Sequence, residues 1–139
     1  MNEEYIKDFD KWNNVKKETD AKILPVEFFF LEREIWWASF GVNIGREIDG
    51  KNDYFERPIL ILKKFSDDTL WALPITSDNE KHKYSHKILY RDVKGMILLS
   101  QLRFISANRL LQLIRRIDEK EFDIIQNMVI NLLKIKDSL

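Results

Sequence analysis

The chain has 139 residues, 45% of them hydrophobic, and its 23 basic and 23 acidic residues give a formal net charge of zero. This length predicts one domain, and the apolar content is sufficient for a real core. Zero net charge argues against a strongly basic nucleic-acid coat protein but leaves room for a local basic groove. The absence of cysteine excludes disulfides, thiolate nucleophiles and zinc–thiolate sites, and it permits a reducing compartment.

The beginning of the chain is acidic and amphipathic, and it lacks the basic start and apolar run of a signal peptide. Residues 3 to about 19 predict a helix, on which Tyr5, Phe9 and Trp12 form a narrow apolar stripe. Such a helix needs a surface to lie on, either its own barrel or a second subunit. No apolar stretch approaches the roughly 18 residues that a membrane span needs. The sequence therefore predicts a cytoplasmic protein without a membrane association.

The middle of the chain has the pattern of short strands. Residues 35–40 predict a strand, and residues 41–56 a long polar, glycine-bearing loop, which is often functional in a compact domain. The continuous apolar run at 59–62 predicts a strand buried on both faces. A turn at 66–68 then leads into a return strand at 70–75, so these residues predict a hairpin.

The last third predicts further short strands and one helix. Asp118 followed by Glu121 has the spacing of a capping box, which predicts where the final helix begins. An apolar stripe follows, which predicts core packing: Phe122, Ile125, Met128, Val129, Leu132 and Leu133. Strands are predicted at 88–90, 96–99, 101–105 and 113–117, with one helical turn at 108–111. The elements together predict a mainly β (α+β) fold, a small, strongly bent β-barrel with peripheral helices.

Two residues at the ends of the predicted hairpin suggest phosphate chemistry. Arg57 precedes Pro58, which favours an extended backbone and so fixes where the arginine closes the loop. Thr76 ends the return strand, and hairpin geometry can bring the two together. A guanidinium beside a hydroxyl suits phosphate oxygens without a metal. Taken singly, each residue is better explained structurally, Arg57 by a surface ion pair with Glu56 or Asp53 and Thr76 by a turn cap at Thr76-Ser77-Asp78.

Other polar residues allow several interpretations. Glu47 in the glycine loop could act as a general base, or with Asp49 it could bind magnesium, although solvated loop acids are the commoner explanation. His82 and His86 have the spacing of a helical metal pair, but the segment does not look helical, so a metal site is poorly supported. A phosphate contact or acid–base role by His86 is the better functional interpretation, although a plain exposed histidine is the commoner explanation. Residues 81–94 contain five Lys or Arg, both histidines and one acid. This composition predicts either a solvated basic loop or a basic groove.

Several sequence blocks, in this order, are similar to those of a known family. They are EIWWA (34–38), GRE (45–47), RP with an apolar strand (57–62), PIT (74–76) and SQLR (100–103). With NRL (108–110) and the final helix, the chain resembles the PemK/MazF family of toxin endoribonucleases from bacterial toxin–antitoxin pairs over residues 33 to 135. The resemblance implies a compact SH3-like barrel, a homodimer and a cognate antitoxin partner.

The resemblance also implies an activity, namely sequence-selective cleavage of single-stranded RNA without metal or other cofactor. The RNA's own 2′-hydroxyl attacks the phosphodiester and leaves a 2′,3′-cyclic phosphate and a 5′-hydroxyl. Arg57 matches the catalytic arginine, which stabilises the transition-state charge. Thr76 matches the catalytic threonine, which holds a phosphate oxygen, and Glu47 matches a loop carboxylate near the active site.

The RNA contacts expected on this basis come from the loop, the hairpin end and the basic segment: Arg46, Lys51, Ser77, Lys83 and His86. The loop before Arg57 is longer than in short family members, so a cut-site preference does not transfer. Residues 1–32 have no counterpart there and predict an N-terminal helical extension to a toxin domain at 33–139. Two alternatives stay open, a non-catalytic toxin that binds a protein such as a topoisomerase, and an inactive module on the same barrel.

Overall fold

The computed structural model describes residues 4–78 and 80–134 of the chain. Its elements are α1 (Phe9–Ala21), β1 (Glu34–Ser39), β2 (Glu56–Lys64), β3 (Thr69–Thr76), β4 (Ser85–Tyr90), β5 (Val93–Leu98), β6 (Arg103–Ser106), β7 (Leu110–Arg116) and α2 (Glu119–Leu133). Short 3-10 turns lie at Leu99–Gln101 and Ala107–Arg109. The predicted mainly β class with peripheral helices is confirmed. Within the described residues, neither helix is long and apolar enough to span a membrane.

The strands form one curled antiparallel half-barrel in the order β4-β5-β3-β2-β1-β7, with β6 also paired to β3. Strand β3 changes partner along its length. Residues Thr69 to Ala72 pair with β6, whereas Ile75 and Thr76 pair with β5. Pro74 has no N–H to donate and lies between these two ladders. The candidate residue Thr76 therefore lies where the two parts of the sheet separate.

The hairpin strand β2 is buried on both faces, as its apolar run predicted. Leu60 and Leu62 belong to a cluster that α2 covers, whereas Ile59 and Ile61 belong to a second cluster on the other face. Alternate side chains of a strand point to opposite faces, so both faces need apolar residues. This arrangement fixes the backbone that leads into the candidate site.

The capping box at the start of α2 is confirmed, because the Asp118 side chain accepts a hydrogen bond from the backbone N–H of Glu121 at 2.8 Å. The predicted stripe is only partly buried. The side chains of Phe122, Ile125 and Val129 are buried, whereas those of Leu132 and Leu133 are exposed. The periodicity of a helix does not indicate where the surface beneath it ends, so the last turn was predicted wrongly.

Helix α1 begins at Phe9 rather than at residue 3, because the Asp8 side chain caps it by accepting from the N–H of Lys11 at 2.9 Å. Tyr5 therefore precedes the helix, and Phe9 is half-exposed. The predicted stripe is wrong at both positions. The buried side chains of α1 are Trp12 and Val15, which lie one helical turn apart.

Trp12 packs α1 onto this chain's own β1–β2 loop, residues 40–55. Its ring meets Phe55 edge-on, with the ring centroids 5.6 Å apart, and a third apolar cluster joins the two residues with Val15 and Val42. Gly41 has a φ of +90°, and a Cβ there would lie 2.5 Å from the Trp12 ring. Glycine is therefore required at this position both for backbone conformation and for the close approach of α1.

Candidate active site

Arg57 is buried in β2, with 6% of its surface exposed. Its Nε donates to the backbone carbonyl of Asp49 at 2.5 Å, and its Nη1 donates to the carbonyl of Ile75 at 3.1 Å. Burial lowers the pKa of Arg57, while the nearby carboxylates of Asp78 and Asp49 act in the opposite direction. The guanidinium is thus held at fixed orientation between the β1–β2 loop and the end of β3.

Thr76 lies beside Arg57 at the same corner of the sheet. In the antiparallel pair of β2 and β3, Ile59 lies opposite Pro74. Two residues further along each strand, the same register places Arg57 opposite Thr76. Only 2% of Thr76 is exposed. Its Oγ1 donates to Oδ2 of Asp78 at 3.0 Å and thereby has a fixed position.

Asp78 is a further residue of this corner, and its sequence context is that of an ordinary turn residue. Although burial alone raises the pKa of a carboxyl, hydrogen bonds from His82, Thr76 and the Glu80 N–H hold the pKa of Asp78 below its ordinary value. Nε2 of His82 lies 2.9 Å from Oδ1. Ligand atoms of Asp78, Glu80 and His82 lie within 4.8 Å of one another, a donor set that suits a divalent cation, but both acids are exposed.

Glu47 is exposed in the β1–β2 loop, where its Oε1 accepts from the backbone N–H of Ile44 at 3.2 Å. Together with Arg57 and Lys51 it lines a cavity of about 610 Å³. Two of the three predicted catalytic residues therefore face one cavity. Thr76 lies next to Arg57 but does not line this cavity.

A second cavity of about 510 Å³ lies on the other side of Glu47, and Arg46 and Arg103 line it. Gln101 fastens the loop here, because its Oε1 accepts from the N–H of Ile48 at 2.7 Å. The Arg103 guanidinium lies 4.6 Å from the centre of the Phe40 ring, and burial lowers the pKa of Arg103 while Glu47 opposes this. Arg103 is not among the RNA contacts expected from the sequence, although it belongs to the SQLR block.

The predicted basic segment forms a groove of about 1130 Å³ that Ser77 and Lys83 line. Basic side chains outnumber acidic ones in its lining. The five basic residues are Lys81, Lys83, Lys87, Lys94 and Arg115. His86 is half-buried on β4 opposite Ile97 and lies outside this lining. The groove begins directly after Thr76 and so continues from the Arg57 corner.

The N-terminal segment supplies residues to the Arg57 cavity that the sequence did not indicate. Tyr5, Ile6, Lys7 and Asp8 form part of its lining. The Tyr5 hydroxyl donates to Oδ2 of Asp49 at 2.9 Å. The same carboxylate accepts from the Asn43 N–H through Oδ1 at 2.5 Å. Asp49 thus connects the N-terminal segment, the loop and Arg57.

Lys7 adds further contacts between the segment and the loop. Its Nζ donates to the carbonyls of Asn43 at 2.6 Å and Gly45 at 3.1 Å, and lies 3.5 Å from Oδ2 of Asp49. These contacts join residues 36 to 44 positions apart in the chain. No periodicity or short motif marks such pairs.

The family model of PemK-like, MazF-like toxins of type II toxin–antitoxin systems matches residues 32–133. No curated protein sequence matches the chain significantly.

Solved structures show the same fold. A MazF crystal structure from Deinococcus radiodurans is 19% identical, covers 77% of this chain and 98% of its own, and has a TM-score of 0.60. The Mycobacterium tuberculosis toxin MazF-mt6 is 14% identical, with 75% and 99% covered and a TM-score of 0.55. A MazE–MazF structure from D. radiodurans is 16% identical, with 79% and 100% covered and a TM-score of 0.54.

Proposed function

The chain belongs to the family of PemK-like, MazF-like toxins of type II toxin–antitoxin systems, and we propose that it is an endoribonuclease that cleaves single-stranded RNA without a metal. The main observation in support is the corner of the sheet where the buried Arg57 lies beside the Thr76 hydroxyl and opens on a cavity with the Glu47 carboxylate. Preorganised donors next to a potential base are what phosphodiester cleavage requires.

In the proposed reaction the 2′-oxygen of the RNA forms a bond to the adjacent phosphorus, and the bond from phosphorus to the 5′-oxygen breaks. Glu47 accepts the proton of the 2′-hydroxyl, and the departing 5′-oxygen takes a proton from water in the open cavity. The hydroxide left by that water takes the proton from Glu47, which restores the carboxylate. Arg57 uses Nε and Nη1 for its bonds to described residues, which leaves Nη2 for the phosphate oxygens. The Thr76 hydroxyl, which donates to Asp78 when no RNA is bound, turns to donate to the same phosphate.

The lysine-rich groove provides a path for the rest of the RNA. Exposed lysines are flexible point charges that suit a phosphate backbone, and five cations against three acids give the groove a positive balance. Ser77 and Lys83 line it. Arg46 and Lys51 offer exposed charges on the loop, and His86 offers an imidazole on β4.

We also propose a cognate antitoxin as the partner of this chain. One of its structural relatives was solved as a MazE–MazF structure, and another is described as a mycobacterial endoribonuclease in complex with its cognate antitoxin, 12% identical at a TM-score of 0.52. A homodimer that acts in the cytoplasm is part of the same proposal.

The test is incubation of the purified protein with a long single-stranded RNA in EDTA, followed by mapping of the cut ends. We expect cuts that leave 2′,3′-cyclic phosphates, and at least 100-fold slower cleavage by Arg57→Ala. Arg116→Ala is the matched control, because Arg116 is exposed at the far edge strand β7. Cleavage that requires added magnesium would contradict the metal-free mechanism.

The alternative, a toxin that acts only by binding a protein, gives a different result. In that case neither EDTA nor magnesium supports RNA cleavage, and expression of Arg57→Ala in bacteria arrests growth as strongly as expression of the natural chain does. A nuclease toxin instead loses RNA cleavage and growth arrest together.

A further inference from the structure

The N-terminal segment is a wall of the Arg57 cavity and not only a strap across the loop. Residues 5–8 line that cavity together with Glu47, Lys51 and Arg57. Lys7 and Trp12 hold the segment to the loop, Lys7 through the carbonyls of Asn43 and Gly45, and Trp12 through its burial against the loop. Any ligand in this cavity meets the N-terminal segment as well as the barrel.

Tyr5 stands out because its hydroxyl is fixed while its ring is not covered. The hydroxyl donates to Asp49, and burial of that end and the Asp49 carboxylate raise the pKa of Tyr5 to about 12. The hydroxyl therefore stays protonated and donates throughout the physiological range. Yet 66% of Tyr5 is exposed. By contrast, Trp12, which anchors α1, is 7% exposed.

This combination suggests a ligand for the ring. An aromatic residue that served only as an anchor would bury its ring, as Trp12 does, because burial is where an apolar ring gains free energy. Tyr5 instead presents an exposed ring, held at its hydroxyl by Asp49, in the lining of a cavity that also contains the cations Arg57, Lys51 and Lys7. Exposed aromatics beside cationic surfaces are typical of sites for single-stranded nucleic acid, where bases stack on the rings.

We propose that Tyr5 stacks on a base of the RNA next to the phosphate held by Arg57, so that the N-terminal segment is part of the RNA-binding site. The inference rests on the proposed function, since it assigns a subsite of the same site. The bond to Asp49 orients the ring, and the ring makes the contact with RNA.

The test measures binding of a fluorescein-labelled, mixed-sequence single-stranded 2′-deoxy oligonucleotide, which lacks the attacking hydroxyl and is not cut. We expect Tyr5→Leu to weaken binding about tenfold, in the range found for the loss of one stacked base. Tyr5→Phe keeps the ring and should stay within about threefold of the natural chain, as should Tyr5→Trp. Phe9→Leu, another exposed aromatic at the start of α1, is the matched control without an effect.

Equal weakening by Tyr5→Leu and Tyr5→Phe would overturn the proposal, because the hydroxyl alone would then matter. Unchanged binding by Tyr5→Leu would overturn it as well. Thermal unfolding of each variant verifies the fold, and a KM for RNA that rises with Tyr5→Leu at constant kcat supports stacking. If the natural chain cuts no RNA, the proposed function fails while the binding ratios still decide the role of Tyr5.

Discussion

The two cationic regions next to Thr76 differ in almost every physical respect. At the Arg57 corner the cation is buried, and backbone carbonyls of Asp49 and Ile75 fix it from two sides. Along the groove the cations are mostly exposed lysines without such fixed partners among the described residues, such as Lys87 and Lys94. A fixed, desolvated guanidinium suits transition-state charge, whereas mobile lysines suit a phosphate backbone of any sequence.

Under the proposed function, this difference separates catalysis from affinity within one small barrel. Changes at the buried corner should alter kcat, and changes in the groove should alter KM and its salt dependence. The loop that holds Arg57 depends in turn on α1, so the corner also depends on residues outside the barrel strands.

After Arg57→Ala, the largest effect is expected for Thr76→Val, which removes the hydroxyl and keeps the shape of the side chain. We expect kcat for RNA to fall about 100-fold, the usual cost of losing one oriented donor to a developing charge. Single-turnover cleavage at saturating RNA measures this loss. Thr69→Val at the other end of β3 is the matched control, and a Thr76→Val rate within twofold of the natural chain would remove Thr76 from the mechanism.

The next largest effect concerns stability, for Gly41→Ala. The added Cβ meets the Trp12 ring and sits on a backbone with positive φ, so we expect the free energy of unfolding to fall by about 2–3 kcal/mol. Gly45→Ala has positive φ but nothing within 4 Å of its added Cβ, so it should cost only about 1 kcal/mol. Urea unfolding of both variants compares them. Equal losses would mean that α1 does not depend on the close approach at Gly41.

A moderate effect is expected when Lys83→Gln and Lys94→Gln are combined in the groove. KM for RNA should rise several-fold at constant kcat, and the slope of log affinity against log salt should shrink by about 0.7 for each lysine lost. Titrations at several salt concentrations measure the slope. Lys17→Gln with Lys120→Gln, two exposed lysines on the helices, is the control pair. A drop in kcat instead would assign these lysines to the chemistry.

The smallest effect is the pH dependence linked to Asp78. Its pKa in the folded protein lies below the ordinary 3.8, so the folded state binds fewer protons than the unfolded state in that window. The stabilisation is complete above pH 3.8 and disappears as the pH falls through the lower folded value. The difference in unfolding free energy between the natural chain and Asp78→Asn should therefore shrink below pH 3.8. Asp67→Asn, in an exposed turn, is the matched control.

The sequence predicts the hairpin and its two polar ends because the interactions that form them are local. An apolar run, a polar turn and a return strand fix the register, which in turn places Arg57 beside Thr76. The cap of α2 at Asp118 is local in the same way. Such features need only a few neighbouring residues, and the predictions that rest on them agree with the structure.

Features that rest on distant contacts could not be predicted. The bond from Tyr5 to Asp49 joins residues 44 positions apart, and neither residue belongs to a motif. The apolar stripe predicted on α1 was wrong for two reasons. The Asp8 cap starts the helix only at Phe9, and Gly41 selects which face of the helix can approach the loop. Asp78 looked like a turn residue, and its bond to Thr76 depends on the conformation of the chain after β3.

The pairing of β1 with β7 sets the order in which a newly made chain can fold. Residues Glu34 to Ala38 pair with β2 on one side, but on the other side their partners lie at Leu110 to Arg116. The cluster beneath α2 also needs Phe122, Ile125 and Val129. A ribosome must therefore release the chain as far as α2 before β1 pairs with β7 and the core is covered. The β2–β3 hairpin bearing Arg57 and Thr76 can form much earlier, but its surroundings are completed last.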